Sequence, residues 1–466
     1  MENISSSHID FLNRLTAKIN MDFSNNMINK NYKYTLTKYR ESIIALITGY
    51  QSRITSDNEN SKLQELNQLI KCITPGIIDD YLVIKMQNEY HPIIKKIINI
   101  IENIPLVEQK SPEWFQLREG MISASDAGYF LKKCGAARAT DTLRLKLGLK
   151  TYPNSSAPPL MHGNTYEDIT RAIYESRNRV EVAEYGIITS PTNYIGASPD
   201  GVVVKCLSSS WECQSRLGRL LEIKNPYSRE IDSSIKPEYM VQILQQQYTT
   251  QLPICDFVET TIVDKYSTTS AGNYKPYLTL EDMLNDSLVG IETNSQARIK
   301  NHNIPIENLN KFGNEKGLVI WYQKIISQTD IRNKYIMYPL NIPYKQLEIE
   351  KWIVDTNSIQ FTDGFIFKEV KYWRLDVYAE KTVVYDSNLF ENEYIPKLCN
   401  VWEIICKCRE IQKNKEMNLE TYINDLENQK DNPFYNENRK KKKIKSTVNS
   451  NTISFNESNN DIELDF

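Results

Sequence analysis

Two carboxylates and a lysine stand out in this chain by their type and spacing. Asp200 sits in the Pro-Asp-Gly turn of YIGASPDGVVV and leads into Val202, Val203 and Val204. Glu222 and Lys224 lie two positions apart in the apolar run RLLEIKNP, so in an extended segment both side chains leave the same face of a strand. One carboxylate at a strand start, a second on the adjacent strand and an ammonium beside it could hold Mg2+ and polarise a water. That is the set of groups needed to hydrolyse a phosphodiester. An E-x-K pair alone reads equally well as an ion pair on a solvated strand face. Its apolar surroundings sharpen the reading, because charges in such runs are rarely left without a partner or a metal.

The neighbouring segments have to position these groups. Ser111 can cap a helix with Pro112 at its first position, and Arg118 lies in that helix just before Gly120. Ser123 or Ser125 then caps a second helix carrying Ala127 and Phe130. An arginine beside serine hydroxyls and backbone N–H groups suits a phosphate, although a helix-turn-helix packing unit with a surface arginine accounts for the same residues. A connecting region with Lys146 and Lys150 runs to Pro159, and a helix begins near Asn164 with Ile169, Ala172 and Ile173 along one side. Its Glu167 could face the strands of Asp200 and Glu222, or simply complement the helix dipole from a first turn.

Val180 to Thr189 reads as one strand, and residues 205–219 as a long hairpin loop that brings Arg216 and Arg219 near the site. Asn225-Pro226 stops the LLEIK strand. In the helix KPEYMVQILQQQYTT, the residues Tyr239, Gln242, Ile243 and Gln246 share a face. A glutamine pointing inward could orient an attacking water or bond a DNA strand, or be satisfied by backbone. Leu252 to Val263 returns as a strand. This order predicts an α/β (α+β) fold, a mixed sheet flanked by helices with an acidic cluster where strands bend apart.

The chain has 466 residues, 40% of them apolar, enough for two or three domains and a sizeable core. A formal charge of -3 gives no bulk argument for nucleic-acid binding, which would need a local groove. Eight cysteines without a C-x-x-C pair read as reduced thiols rather than zinc ligands. The start lacks a secretory pattern and no apolar run approaches a membrane span, so a soluble protein of a reducing compartment is expected.

Four regions are expected. Residues 1–105 form a helical domain, 106–265 the chemical core, and 266–427 a mixed region packed on that core. Residues 428–466 form a polar, disordered tail, whose RKKKKIK run at 439–445 could bind DNA or act as a nuclear address. The aromatic strands of the third region, with Tyr338, Tyr372, Trp373 and Arg374, read more simply as packed core than as a DNA-stacking surface.

The central residues resemble the YqaJ-type viral recombinase family, the phage lambda exonuclease branch of the PD-(D/E)xK nuclease superfamily, in a form found in large DNA viruses. Five ordered pieces between residues 111 and 262 carry the resemblance. They are W-x-x-x-R-x-G-x-I-x-A-S from Trp114 to Ser125, the helix with Glu167, SPDG with Asp200, LEIK with Glu222 and Lys224, and YMVQ with Gln242. The resemblance implies a restriction-endonuclease-like core with additions at both ends. It implies Asp200, Glu222, the Ile223 carbonyl and Glu167 as ligands of Mg2+, with Mn2+ able to substitute. It makes Lys224 the residue that activates the water and Gln242 its orienting partner. Arg118 and Ser125 become a 5′-phosphate pocket, and Ser198 a contact near the scissile bond.

The expected partner is double-stranded DNA with 5′-phosphorylated ends, alongside a single-strand annealing protein, in a monomer or a trimer. A viral setting would place the protein in the host cytoplasm, a viral factory or the virion. The spacing of 22 positions between Asp200 and Glu222 is longer than the family hairpin, so the intervening loop is a candidate contact for DNA or partners. The expected function is a metal-dependent exonuclease that resects duplex ends. A structure-specific endonuclease and a non-catalytic DNA-binding scaffold are the other two readings.

Overall fold

In a computed structural model the protein is described at residues 5–18, 36–52, 61–105, 107, 111–134, 139–150, 157–190, 194–232, 234–266, 276–285, 316–326, 331–340, 342, 344–358, 364–415, 417–430 and 432–434. The basic run at 439–445 and the polar linker around 294–303 lie outside the described residues.

The N-terminal segment supplies helices α1 (Ser6–Lys18), α2 (Leu36–Gln51), α3 (Ser61–Lys71), α4 (Pro75–Lys85) and α5 (His91–Glu102), the last two joined by a wide turn at Met86–Tyr90. The central part runs α6 (Pro112–Glu119), β1 (Ile122–Ser123), α7 (Ala124–Phe130), α8 (Ala139–Lys146), α9 (Pro158–Asn178), β2 (Val180–Ala183), β3 (Ile188–Thr189), β4 (Ile195–Ala197), β5 (Gly201–Cys206), α10 (Trp211–Gln214), β6 (Leu220–Lys224), α11 (Pro237–Thr250) and β7 (Ile254–Val263). Then come α12 (Leu280–Asn285), β8 (Lys316–Ile325), β9 (Ile331–Met337), α13 (Gln346–Asn357), β10 (Ile366–Val384), α14 (Ile395–Asn414) and α15 (Leu419–Leu426). Among the described residues no helix is long and apolar enough to cross a membrane.

The architecture is the mixed α/β arrangement of a PD-(D/E)xK-like core with helical and mixed extensions. Among the described residues one seven-stranded sheet has the order β2-β5-β6-β7-β10-β8-β9. Its β6–β7 pair is parallel, while β7–β10, β10–β8 and β8–β9 are antiparallel. The strands after residue 316 therefore extend the central sheet through its β7 edge.

Alternation along β6 explains the layers. Leu221 and Ile223 pack with Tyr166, Ile169, Ile173 and Tyr174 of α9 on one face. Leu220, with Val202 and Phe257, meets Ile243 of α11 and the N-terminal helices on the other. A third cluster joins Phe130 of α7, Leu143 of α8 and Leu244 of α11 to Leu398, Ile405 and Ile423 of the C-terminal helices.

The structure departs from the sequence reading in two stretches. Val180–Thr189 is not one strand: it divides into β2, which pairs with β5 in the large sheet, and β3, which pairs with β4 in a separate sheet of order β1-β4-β3. Residues 207–219 are not an open hairpin loop but a folded insertion containing α10. The N-terminal helices seat on it, with His91 Nε2 3.1 Å from the Gln214 carbonyl. Gly218 adopts φ +78, and a Cβ there would stand 2.4 Å from Ile94 Cγ2, so only glycine allows the close approach.

Arg216 and Arg219 are accordingly not at the site. They bind Asp256, whose register partner is Leu221, placing them on the sheet face opposite Glu222.

Candidate active site

The Pro-Asp-Gly turn delivers Asp200 to the start of β5, and Gly201 pairs with Leu221 across the antiparallel β5–β6 ladder. The Ile223 N–H donates to Asp200 Oδ2 at 2.7 Å, so the strand carrying Glu222 holds the Asp200 carboxylate in place. Glu222 is fully buried. Its Oε1 contacts the Lys224 ammonium, and its Oε2 accepts a 2.6 Å bond from Gln246 Nε2. The same amide reaches the Ser198 carbonyl at 3.5 Å.

Glu167 lies more than two turns inside α9, beyond the reach of the helix-start effect. That removes the dipole as the reason for its placement. Its carboxyl is pushed up by burial, against the pull of the Lys224 charge, with Asp168 and Glu222 raising it further.

The electrostatics are those of crowded carboxylates around one cation. Burial raises the Asp200 carboxyl well above its ordinary range, and the charges of Glu222 and Glu167 add to the effect. Burial also disfavours the Lys224 ammonium, but the charges of Glu222 and Asp200 outweigh it and hold the group above the usual lysine value. Three carboxylates against one lysine leave an excess of negative charge that a divalent cation would offset.

The donors are oxygens of the kind a hard cation takes, and Gln246 Oε1 is buried without a hydrogen-bond partner. Among the described residues no three His, Cys, Asp or Glu side chains enclose a metal by themselves. An ion held by Asp200 and Glu222 would thus complete its shell with amide or backbone oxygen and water.

Several predicted residues meet here and others do not. Asp200, Glu222 and Lys224 come together, and Ile223 is tied in through its N–H. The glutamine that touches Glu222 is Gln246, one turn beyond Gln242; among the described residues no hydrogen bond joins the half-buried Gln242 to the carboxylates. The Ser198 hydroxyl donates to the Tyr185 carbonyl at 3.2 Å.

Sequence reasoning missed the neighbours of Gln246. Gln245 Nε2 donates to the Ile122 and Gly196 carbonyls, each at 2.9 Å. Gln247 Nε2 donates to those of Pro253 at 2.9 Å and Val383 at 3.0 Å. Three successive buried amides thus clamp three seams of the fold. The run QQQ inside a helix was the available signal, since consecutive amides cannot all face solvent once a helix is buried on most sides.

The second predicted group forms beside this cluster. β1 runs parallel to β4, with Ser123 opposite Gly196, so the turn after β1 lies at the same end as Ser198 and Asp200. Arg118 Nη2 donates to Ser123 Oγ at 2.8 Å and to Ser125 Oγ at 2.9 Å. The Arg118 guanidinium lies 4.6 Å from the Trp114 ring centre. Arg118 Nε and Trp114 Nε1 are both buried donors without an acceptor, which suits an incoming anion. Burial pushes the Asp126 carboxyl up, but the charges of Lys146 and Arg118 and the bonds from Lys146 and Ser123 more than offset it and hold it below its ordinary range.

His162, near the start of α9, packs edge-on against Tyr166 at 4.8 Å and Tyr227 at 5.5 Å. Burial pushes its imidazole down to about 4, with the Asp264 charge opposing and that of Lys371 assisting. The folded state therefore refuses a proton that the unfolded chain accepts below about pH 6.5. This contribution to stability is absent above that pH. It costs roughly 3 kcal/mol by pH 4. Urea titrations at pH 7 and pH 4.5 should show His162→Gln losing less stability on acidification than the parent. Equal losses in the two proteins would refute the assignment.

A strand-borne carboxylate pair with an adjacent lysine, in a mixed sheet between helices, defines the PD-(D/E)xK nuclease superfamily core. Comparison with known proteins gives the finer placement. Residues 113–253 match the model of the YqaJ-like viral recombinase domain, so the chain is similar to that family across its central part.

Over 361 residues the chain is 30% identical to "Uncharacterized protein R354" of Acanthamoeba polyphaga mimivirus, covering 70% of this chain and 60% of that protein. The chain thus spans about 60% of the length of the curated relative it matches. Two solved structures, LHK-Exo in complex with dAMP and the alkaline exonuclease LHK-Exo from Laribacter hongkongensis, are each 27% identical. Each has a TM-score of 0.25 and covers 32% of this chain and 74% of its own.

Proposed function

We propose that this protein is a Mg2+-dependent deoxyribonuclease that degrades duplex DNA from its ends in the 5′ to 3′ direction, serving viral recombination, repair or replication. The observation that carries the reading is the joining of Asp200 to the Glu222–Lys224 strand by the 2.7 Å bond from the Ile223 N–H. Asp200 and Glu222 would hold the divalent ion, with Glu167 direct or through water and the Ile223 carbonyl or Gln246 Oε1 as further oxygens. When bound, Mg2+, or Mn2+ in its place, polarises the phosphate and lowers the pKa of water.

The remaining steps belong to this chain's own side chains. Lys224 stabilises hydroxide on the attacking side and the charge that grows on the phosphorane. Gln246 fixes the plane of the Glu222 carboxylate. Arg118, Ser123 and Ser125 receive the terminal 5′-phosphate and thereby select ends. The folded state of the 207–219 insertion, occupied by the N-terminal helices, leaves the endonuclease reading without the loose DNA-contact loop it would use.

The test is digestion in Mg2+ of linear duplexes with and without a 5′-phosphate, beside a covalently closed circle. Loss of the phosphorylated duplex with the circle intact is the expected result. Cutting of the circle would establish endonuclease action, and survival of every substrate would overturn both enzymatic readings in favour of a DNA-binding scaffold.

A further inference from the structure

Lys146 ends α8 with its side chain wholly buried, in a position that the carboxylate chemistry does not use. Its Nζ donates to the Arg118 carbonyl at 2.6 Å and the Met121 carbonyl at 2.7 Å, and lies 2.7 Å from Asp126 Oδ2. These acceptors are the last turn of α6, the residue before β1, and the carboxylate behind Ser123. Asp126 in turn accepts from Ser123 Oγ at 2.5 Å and meets Arg118 Nη2 at 3.5 Å. One ammonium therefore fixes both the backbone that carries Arg118 and the carboxylate that orients Arg118 and Ser123. The two cations against one carboxylate leave the group with a net charge of +1, the sign a phosphate needs.

The helix that carries Lys146 is itself fastened by the C-terminal helices. Thr140 Oγ1 donates to Glu427 Oε1 at 2.5 Å, and Arg144 pairs with Glu420 of α15 at 2.9 Å. From α14, Gln412 Nε2 donates to the Leu147 carbonyl at 3.3 Å, and Arg409 donates to the Glu119 carbonyl at the end of α6. Arg409 also lies 5.2 Å from the Trp402 ring, which stacks on Tyr194 just before β4. The free carbonyls that end α6 and α8 are thus capped from one side by the same helix. The polar contacts run in one chain from α15 and α14 through α8 to Arg118.

We propose that Lys146 is the positioning residue of the terminal-phosphate seat and that helices α14 and α15 serve to hold it beneath Arg118. The inference rests on the reading of Arg118 and Ser125 as that seat. It assigns end recognition to residues from both the central domain and the C-terminal addition.

Binding tests it without catalysis. Fluorescence anisotropy in metal-free buffer compares duplexes bearing a 5′-phosphate with duplexes bearing a 5′-hydroxyl, using the full chain. Lys146→Met should lower the preference for the phosphate about tenfold, while affinity for the hydroxyl duplex stays within about twofold. Arg409→Ala should lower the preference by a smaller factor, and Lys146→Arg should restore part of it. Because Lys146→Met takes the nearer cation from buried Asp126 and leaves it Ser123 and the more distant Arg118, the double variant Lys146→Met with Asp126→Asn removes both charges together and should show the same loss of preference.

A parallel fall in both affinities, or an unchanged preference in a folded variant, would overturn the positioning role. A parent protein that does not distinguish the two duplexes would overturn the seat and this inference with it. A parent that distinguishes them yet cleaves nothing would overturn only the nuclease reading.

Discussion

Lys224→Met is expected to slow DNA hydrolysis about a thousandfold, the scale of losing a charged group that acts on the transition state. Methionine keeps most of the length and apolar volume of the lysine stem. Packing on the β6 surface should therefore survive, and the side chain is already three-quarters buried. What disappears is the cation whose charge acts on Glu222, Asp200 and Glu167 together. The loss has a second, opposite consequence. With the ammonium gone, the carboxylates attract a divalent ion more strongly, so the Mg2+ concentration giving half-maximal rate should stay constant or fall while the maximal rate collapses.

A variant that loses rate only because it has lost metal would show the reverse and respond to added Mg2+. Lys224→Arg keeps the charge but replaces a compact donor by a planar fork and should fall between parent and methionine variant. Steady-state rates across a Mg2+ titration check all three statements. A methionine variant within tenfold of the parent would remove Lys224 from the chemistry.

The features legible in the sequence share a local cause. A period of two along LLEIK places Glu222 and Lys224 on one face, and a Pro-Asp-Gly turn puts Asp200 at a strand start. Neither statement needs a distant residue. Ser111 and Ser123 cap their helices through bonds three residues long, Ser111 Oγ accepting from the Trp114 N–H at 3.1 Å and Ser123 Oγ from that of Asp126 at 3.4 Å.

The features that escaped depend on partners far along the chain. Lys146 acquires meaning from Asp126 and from helices more than 250 residues later. Gln242 and Gln246 share a helical face by their spacing of four, so the pattern could not say which turn of α11 lies level with Glu222. The change of sheet within Val180–Thr189 leaves no mark either, because side-chain alternation reports a strand and not the strand it pairs with.

The 207–219 insertion shows the same limit most plainly, and its arginines lead to the second large effect. Asp256→Ala is expected to destabilise the protein by about 3–5 kcal/mol. Asp256 is fully buried on β7, and four groups from three parts of the fold, the insertion, α9 and β10, converge on it. Arg219 Nη1 donates to Oδ1 at 3.0 Å, Arg216 Nη1 to Oδ2 at 2.7 Å, the Tyr174 hydroxyl to Oδ2 at 2.7 Å and Thr382 Oγ1 to Oδ1 at 2.9 Å. Burial works to raise the carboxyl, but the charges of Arg219 and Arg216 and the bonds from Tyr174 and Thr382 outweigh it and hold the group below its ordinary range.

Alanine would leave two guanidinium groups without their shared carboxylate where water reaches them poorly; Glu380 still meets Arg216, while Arg219 would keep the neutral Ser215 carbonyl and Thr382 hydroxyl as acceptors. The insertion would loosen, and with it the seat of the N-terminal helices on Gln214 and Gly218. Asp256→Asn retains acceptor and shape without the charge and should cost less. Because the lowered carboxyl must be protonated for acid to break the cluster, its contribution is present above the ordinary aspartate range and fades as the pH falls through the lower, folded-state value. Urea unfolding of parent, asparagine and alanine variants at neutral pH measures the order. An alanine variant less than about 1 kcal/mol below the parent would mean that the arginines find solvent or other acceptors, and that the insertion is held by Trp211 and Leu217 against the N-terminal helices instead.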